Sequence, residues 1–316
     1  MTDINFYVIN LLDDDILSKI KAFTIQEILE LITRASSALR YDTLMIFKDS
    51  KLKSQYENIV SIDLKDILIN KLKESELYCA FDDNTKSPVD LNGRAFIFSN
   101  MEYITKFLVF MKNNYSRNTY SICKIDSSKA SKFLYSLVEL KGIKEIVVDS
   151  GHNTVIINSD YVKIESPYKD EKDVRNPKFY NALAKYLQEI KWATTYENKA
   201  KIENQLKFDL YKELVNTTFL VPVKGMNSIA QFIISGEPIS LEFATITDSN
   251  GKTFSPVFTD WEEFYKAYNK EEWSGYEWKL EDLVKAPGHE IVINCATLGS
   301  IFTKDTIREV LSYFKE

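Results

Sequence analysis

Apolar positions recur at helical spacing in several stretches of this chain, separated by short β-prone runs. Ile25, Ile28, Leu29 and Ile32 follow Thr24 and Glu27, the two halves of a capping box, and predict a helix over residues 24–40. Ile104, Phe107, Leu108 and Met111 share the i, i+3, i+4, i+7 pattern with Trp261, Phe264, Tyr265 and Tyr268, so each set predicts an amphipathic helix laid on a sheet. Residues 176–215 contain neither Gly nor Pro after Pro177 and are rich in helix formers, which predicts one or two connecting helices. At the far end Thr303 precedes a helix with Ile307, Val310, Leu311 and Phe314 on one face. Strands alternating with helices make the fold α/β or α+β, each half a mixed sheet packed with helices.

The same pattern occurs twice. Leu72, opening "LKESELYCAF", aligns with Leu214, opening "LVNTTFLVPV"; Asp90, Asn92 and Gly93 align with Asp248, Asn250 and Gly251; Phe98 and Glu102 align with Phe258 and Glu262. "EIVVDSGHNTVIINSDYV" from Glu145 then aligns without a gap with "EIVINCATLGSIFTKDTI" from Glu290, with five identities in eighteen positions. Chance supplies about one. The pattern reads as an internal duplication whose copies keep turn, strand and helix while their loops diverge. In this reading Asn92-Gly93 and Asn250-Gly251 form hairpin turns, and Ser99 and Thr259 are N-caps closed by Glu102 and Glu262. The expected organisation is an N-terminal helical segment with a degenerate copy over 1–165, connecting helices over 166–208, and the second copy over 209–316.

Composition narrows the chemistry. A net charge of −6, a pI near 5.3 and Lys and Arg interspersed with Asp and Glu argue against nucleic acid or an anionic membrane surface as partner. No apolar run approaches the roughly 18 to 20 residues of a membrane span, and "MTDINFYVINLLDDD" has no basic leader region, so a cytoplasmic chain is expected. Cys79, Cys123 and Cys295 are odd in number and far apart, which points away from a disulfide framework or a zinc site.

The segments "LYKELVNTTFLVPV", "FSPVFTDWEEFYKAY" and "GHEIVIN" resemble the SseB N-terminal domain family, in which a strand ending in VPV precedes a helix start of the FTS-x-E kind and a closing VxxNP strand. "NPKFYNALAKYL" is similar to the segment that often precedes this domain. The likeness covers about residues 176–316, with a degenerate version over about 70–165. The chain departs from the family at Cys295, where the pattern has Pro, and in the first copy at Cys79-Ala80-Phe81 and Asp149-Ser150. The resemblance implies a fold; it implies no enzymatic activity, no cofactor and no catalytic residue.

Individual residues add little chemistry. Cys295 follows a strand, as the nucleophile of a phosphatase does, yet Ser300, Ile301 and Phe302 stand where that loop needs its Arg. His152 and His289 occupy non-equivalent positions of the repeat and lack ligand or triad companions, so both read as structural or surface residues. Asp13, Asp14 and Asp15 suit a helix start. "DSNGKT" lacks the upstream Gly of a phosphate-binding loop, since Ile246 occupies that position. What remains is aromatic: Trp261, Trp273, Tyr276 and Trp278 crowd a charged segment, as in a protein-binding hot spot. The sequence therefore predicts a non-catalytic binding or adaptor module with a protein partner, no metal and no cofactor. The alternatives are a small-molecule sensor or enzyme with a site between the two copies, and a homo-oligomer assembled through one copy.

Overall fold

Local signals become local structure where the chain is self-sufficient. Thr24 accepts from the Glu27 backbone N–H, the Glu27 carboxylate accepts from the Thr24 N–H, and the helix Ile25–Arg40 starts there as a complete capping box. The computed structural model describes residues 2–116, 119–169, 171–224, 241–285 and 290–314. They divide into two units, one of Met1–Phe81, Pro88–Val138 and Ile143–Glu165, the other of Asp82–Ser87, Glu139–Gly142 and Ser166–Glu316. Among the described residues no helix is long and apolar enough to cross a membrane.

The first unit is built on a mixed sheet of β1 (Leu77–Asp82), β2 (Ser87–Pro88), β3 (Arg94–Phe98), β4 (Tyr120–Ile125), β5 (Glu145–Val148) and β6 (Val155–Asn158). The order is β2-β1-β3-β5-β6, with β4 also paired to β1. β3 runs antiparallel to β1, with Tyr78 opposite Phe98, and parallel to β5, with Arg94 opposite Glu145 and Ile97 opposite Val148. Side chains of a strand alternate between faces. Cys79 and Ile97 therefore join Ile28, Leu31, Leu64 and Leu68 in the larger core, while Ala80 and Phe98 pack on Ile104, Phe107 and Met111 of the helix Met101–Tyr115.

The second unit holds β7 (Thr218–Lys224), β8 (Glu242–Phe243), β9 (Ile246–Thr247), β10 (Thr253–Val257), β11 (Ser274–Lys279), β12 (Glu290–Ile293) and β13 (Ser300–Phe302). One sheet has the order β13-β12-β10-β9 and the other β11-β7-β8; an antiparallel bridge, Leu220 to Phe258, links them. β10 and β12 are parallel, with Phe254 opposite Glu290 and Val257 opposite Ile293. The two connecting helices, Pro177–Ile190 and Lys199–Leu214, bury Phe179, Leu183, Leu210 and Leu214 with Phe219, Val257, Ile291 and Ile307. Leu220, Phe258, Trp261 and Phe264 fill a second cluster with Val174.

The two Asp-x-Asn-Gly turns differ. Asn92 and Gly93 both have positive φ and close Leu91 on Arg94, whereas in the second only Gly251 does, in the hairpin joining β9 and β10. In each the leading Asp closes the turn: Asp90 accepts from the Gly93 N–H, and Asp248 from those of Asn250 and Lys252. The helix caps fall one residue later than expected. Asn100 accepts from the Glu102 N–H and Asp260 from the Glu263 N–H. Ser99 and Thr259 instead bond the residue that follows the parallel strand: the Ser99 N–H donates to Asp149 at 2.8 Å, and the Thr259 N–H to Asn294 at 3.1 Å. Asp149 and Asn294 sit at φ +48° and +51°, a left-handed conformation that Asp and Asn tolerate.

Gly142 has φ +65°, and a Cβ there would lie 2.4 Å from the carbonyl oxygen of Pro177, the first residue of its helix. Both strain and collision follow from any side chain. Gly142→Ala should lower the unfolding free energy by about 2 kcal/mol or more, read from urea denaturation.

Candidate functional site

The aromatic segment is organised around one bare position. β11 has no side chain at Gly275, and a Cβ there would stand 2.6 Å from the outer edge of the Trp261 ring. The glycine thus lets the strand lie against the indole. Trp261 opens the helix Trp261–Ala267, is buried, and donates its ring N–H to the Lys172 carbonyl at 2.7 Å. Tyr265, one turn on, stacks on Trp261 with ring centres 5.5 Å apart and donates its hydroxyl to Glu171. Trp273 meets Tyr268 edge-on at 5.1 Å and carries the Lys224 ammonium 4.6 Å from its ring centre. An open cleft of about 640 Å³ results, bounded by Trp261, Tyr265, Trp273 and Tyr276 with Lys172 and Lys270 at its rim.

The structure brings together Trp261, Trp273 and Tyr276, and leaves Trp278 outside. Tyr276 is 45% exposed. Trp278 is half-buried, with its ring 5.4 Å from Phe243 of β8 and its body against the core formed with the connecting helices. It supports the sheet rather than the cleft.

The other singled-out residues have quieter surroundings. His152 stacks on Tyr103 at 3.8 Å, and His289 lies outside the described residues. Burial pushes the Cys295 thiol up, away from thiolate chemistry, and the residue packs beside the Trp261 cluster. Asp15 pairs with Lys19 at 2.6 Å beside the helix Ile16–Ile20. Among the described residues no group of three or more His, Cys, Asp and Glu is arranged to hold a metal ion.

Sequence reasoning missed a buried charge network beneath the cleft's helix. The Lys141 ammonium lies 2.9 Å from Glu262 and 3.8 Å from Glu263, and 4.8 Å above the Tyr180 ring. Lys266 reaches Glu263 at 2.7 Å, and the Thr297 hydroxyl donates to the same carboxylate. Asp260 accepts from the Thr259 hydroxyl at 2.7 Å. Burial disfavours the Lys141 charge, but Glu262, with Glu263 and Asp260 behind it, outweighs burial and holds the ammonium well above the usual lysine range. The one signal in the sequence was the acidic run Asp260, Glu262, Glu263 at the head of an otherwise aromatic helix.

Removing Lys141 takes away the buried cation of these carboxylates and leaves only the part-exposed Lys266 beside them. Lys141→Met should therefore destabilise the protein by about 3 kcal/mol, measured by chemical denaturation. Burial, reinforced by Glu263 and opposed by Lys141, pushes Asp260 up to about 6 from an ordinary value of 3.8. The folded state thus takes up the extra proton, so the stability this carboxyl contributes is complete below about pH 4 and is lost as pH rises through about 6. Asp260→Asn keeps a cap acceptor and should remove that part of the slope; denaturation midpoints at pH 4 and pH 7 would show the wild type losing more stability than the variant.

No curated protein and no solved structure matches the chain. The stretch that supplies the aromatic residues of the cleft and the carboxylates of the network does have a recognised counterpart: residues 198–309, from the second connecting helix into the last one, match the family model of the SseB protein N-terminal domain, while Glu171 and Lys172 of the cleft lie outside it.

Proposed function

We propose that this protein is a non-catalytic binding module whose partner is a protein received by the cleft of Trp261, Trp273 and Tyr276. One observation carries the reading. Trp261, fixed from behind by Gly275, the Lys172 carbonyl and Tyr265, backs a cleft that opens to solvent past Trp273 and the exposed Tyr276, with cations at the rim. Such rings supply contact area at little entropic cost, as interface hot spots do. The raised thiol of Cys295 and the stacked ring of His152 favour binding over nucleophilic or acid–base chemistry. The net charge of −6 favours a protein partner over nucleic acid.

The two units descend from one duplicated sequence in this reading. The matched strand pairings, Tyr78 to Phe98 and Leu220 to Phe258, and the matched Asp149 and Asn294 turns support it.

Trp273→Ala combined with Tyr276→Ala tests the cleft while sparing Trp261 and Trp278, which the cores need. Quantitative affinity capture should show partners retained by the wild type falling at least tenfold on the variant, as loss of a hot spot worth about 2 kcal/mol requires. Thermal melting should confirm that the variant is folded. Equal capture by both proteins would rule the cleft out.

A further inference from the structure

The backbone bordering the cleft is itself unfinished. Leu220 exchanges both of its backbone hydrogen bonds with Phe258, and the Pro222 carbonyl accepts from Ala244, so these two residues of β7 face away from β11. Their neighbours Phe219, Val221 and Val223 therefore make the ladder to β11, opposite Trp278, Tyr276 and Ser274. By alternation, Gly275 and Glu277 turn their N–H and C=O groups outward. β11 is the last strand of its sheet, and no described residue pairs with that outer edge. Gly275, Tyr276 and Glu277 also line the cleft, so the open edge and the aromatic wall form one feature.

Charge along this edge is unbalanced. The two carboxylates lining the cleft are engaged, Glu277 with Lys172 at 3.2 Å and Glu171 with the Tyr265 hydroxyl. Nearby, Glu272 faces Lys224 at 3.9 Å, and Asp282 accepts from the Lys279 backbone N–H. Among the described residues the ammonium groups of Lys270, on the cleft rim, and Lys279, at the end of β11, have no carboxylate partner, against one carboxylate, Glu271, with no cation partner.

We propose that an extended, acidic segment of a partner protein adds as a further strand to the outer edge of β11, hydrogen-bonded to Gly275 and Glu277. An apolar side chain of that segment enters the aromatic cleft, and its carboxylates meet Lys270 and Lys279. Backbone pairing supplies affinity in this mode, while pockets and charge supply selectivity. Six strand residues span about 20 Å, enough for a segment of six or seven residues. The proposal rests on the cleft being the protein-binding surface and adds how the partner is held.

The test uses a fluorescent peptide, acetyl-Glu-Thr-Tyr-Thr-Glu-Thr-Glu-amide, whose Tyr and Glu side chains share one face of an extended strand, titrated against the full chain by anisotropy. Its comparators are the same peptide with Lys for Glu and one N-methylated at alternate amides. Glu277→Pro removes an outward N–H at an edge position where proline is tolerated, and Glu277→Ala controls for loss of the carboxylate. The acidic peptide should bind; the Lys peptide, N-methylation in the register facing β11, and Glu277→Pro should each weaken binding by about tenfold or more, and Glu277→Ala by less than about threefold. No binding of the acidic peptide, equal binding of the Lys peptide, or an unaffected Glu277→Pro variant with intact melting would overturn the proposal. So would a dimer dissolved by Glu277→Pro in sedimentation, which would assign the edge to a second copy. If Trp273→Ala with Tyr276→Ala abolishes partner capture and Glu277→Pro leaves it intact, the cleft stands and strand addition falls; if neither changes capture, both fall.

Discussion

An ammonium group cannot sit alone in an apolar interior, and the placement of Lys141 organises the second unit around that constraint. Its desolvation is offset by Glu262 and Glu263, which open the helix Trp261–Ala267. Burying an ion pair costs about as much as the attraction returns. The network's contribution is therefore position: with both carboxylates held, the first turn of the helix has one orientation, and Trp261 at its start has one place to go. From there the indole reaches the Lys172 carbonyl and lies against β11 where Gly275 leaves room. The cleft is thus the exposed end of a chain of contacts that begins at a buried charge.

The other fixed point is the parallel pairing of strands. Running β10 beside β12 brings Thr259 next to Asn294, whose left-handed backbone turns the chain and whose side chain both accepts from and donates to Thr259. Asp149 does the same for Ser99 as acceptor. Burial pushes this Asp149 carboxyl up while its hydrogen bonds from Ser99 pull it down, whereas the Asn294 amide carries no such conflict. The same geometry is therefore held by an ionisable group in one unit and a neutral one in the other.

These particulars explain which features were legible in the sequence. Thr24 and Glu27 lie three residues apart, and their box needs nothing beyond its own turn, so spacing alone reveals it. Ser99 and Thr259 have the chemistry of caps, but their partners lie 50 and 35 residues away, and the next residue takes the cap. Composition marked Trp261, Trp273, Tyr276 and Trp278 as a group. Separating Trp278 requires knowing that β8 places Phe243 beside it. Lys141 was illegible for the same reason, since Glu262 lies 121 residues along the chain. Local hydrogen bonds are written in spacing, while contacts closed by topology are not.

Edge strands invite indiscriminate pairing, and proteins blunt them with charge, brevity or irregularity. β11 has six residues, a glycine where a side chain would add apolar surface, and the Lys172–Glu277 ion pair on the cleft beside it. With Lys172 84% and Glu277 35% exposed, that pair contributes little stability, about 0 to 1 kcal/mol at most. A neutral strand that disturbs it gains nothing in return, and a basic one gains only Glu277. An acidic strand offers Lys172 a replacement carboxylate and gives Lys270 and Lys279 partners as well. The charges beside the edge would then also select the partner, because they favour the sequence that complements them.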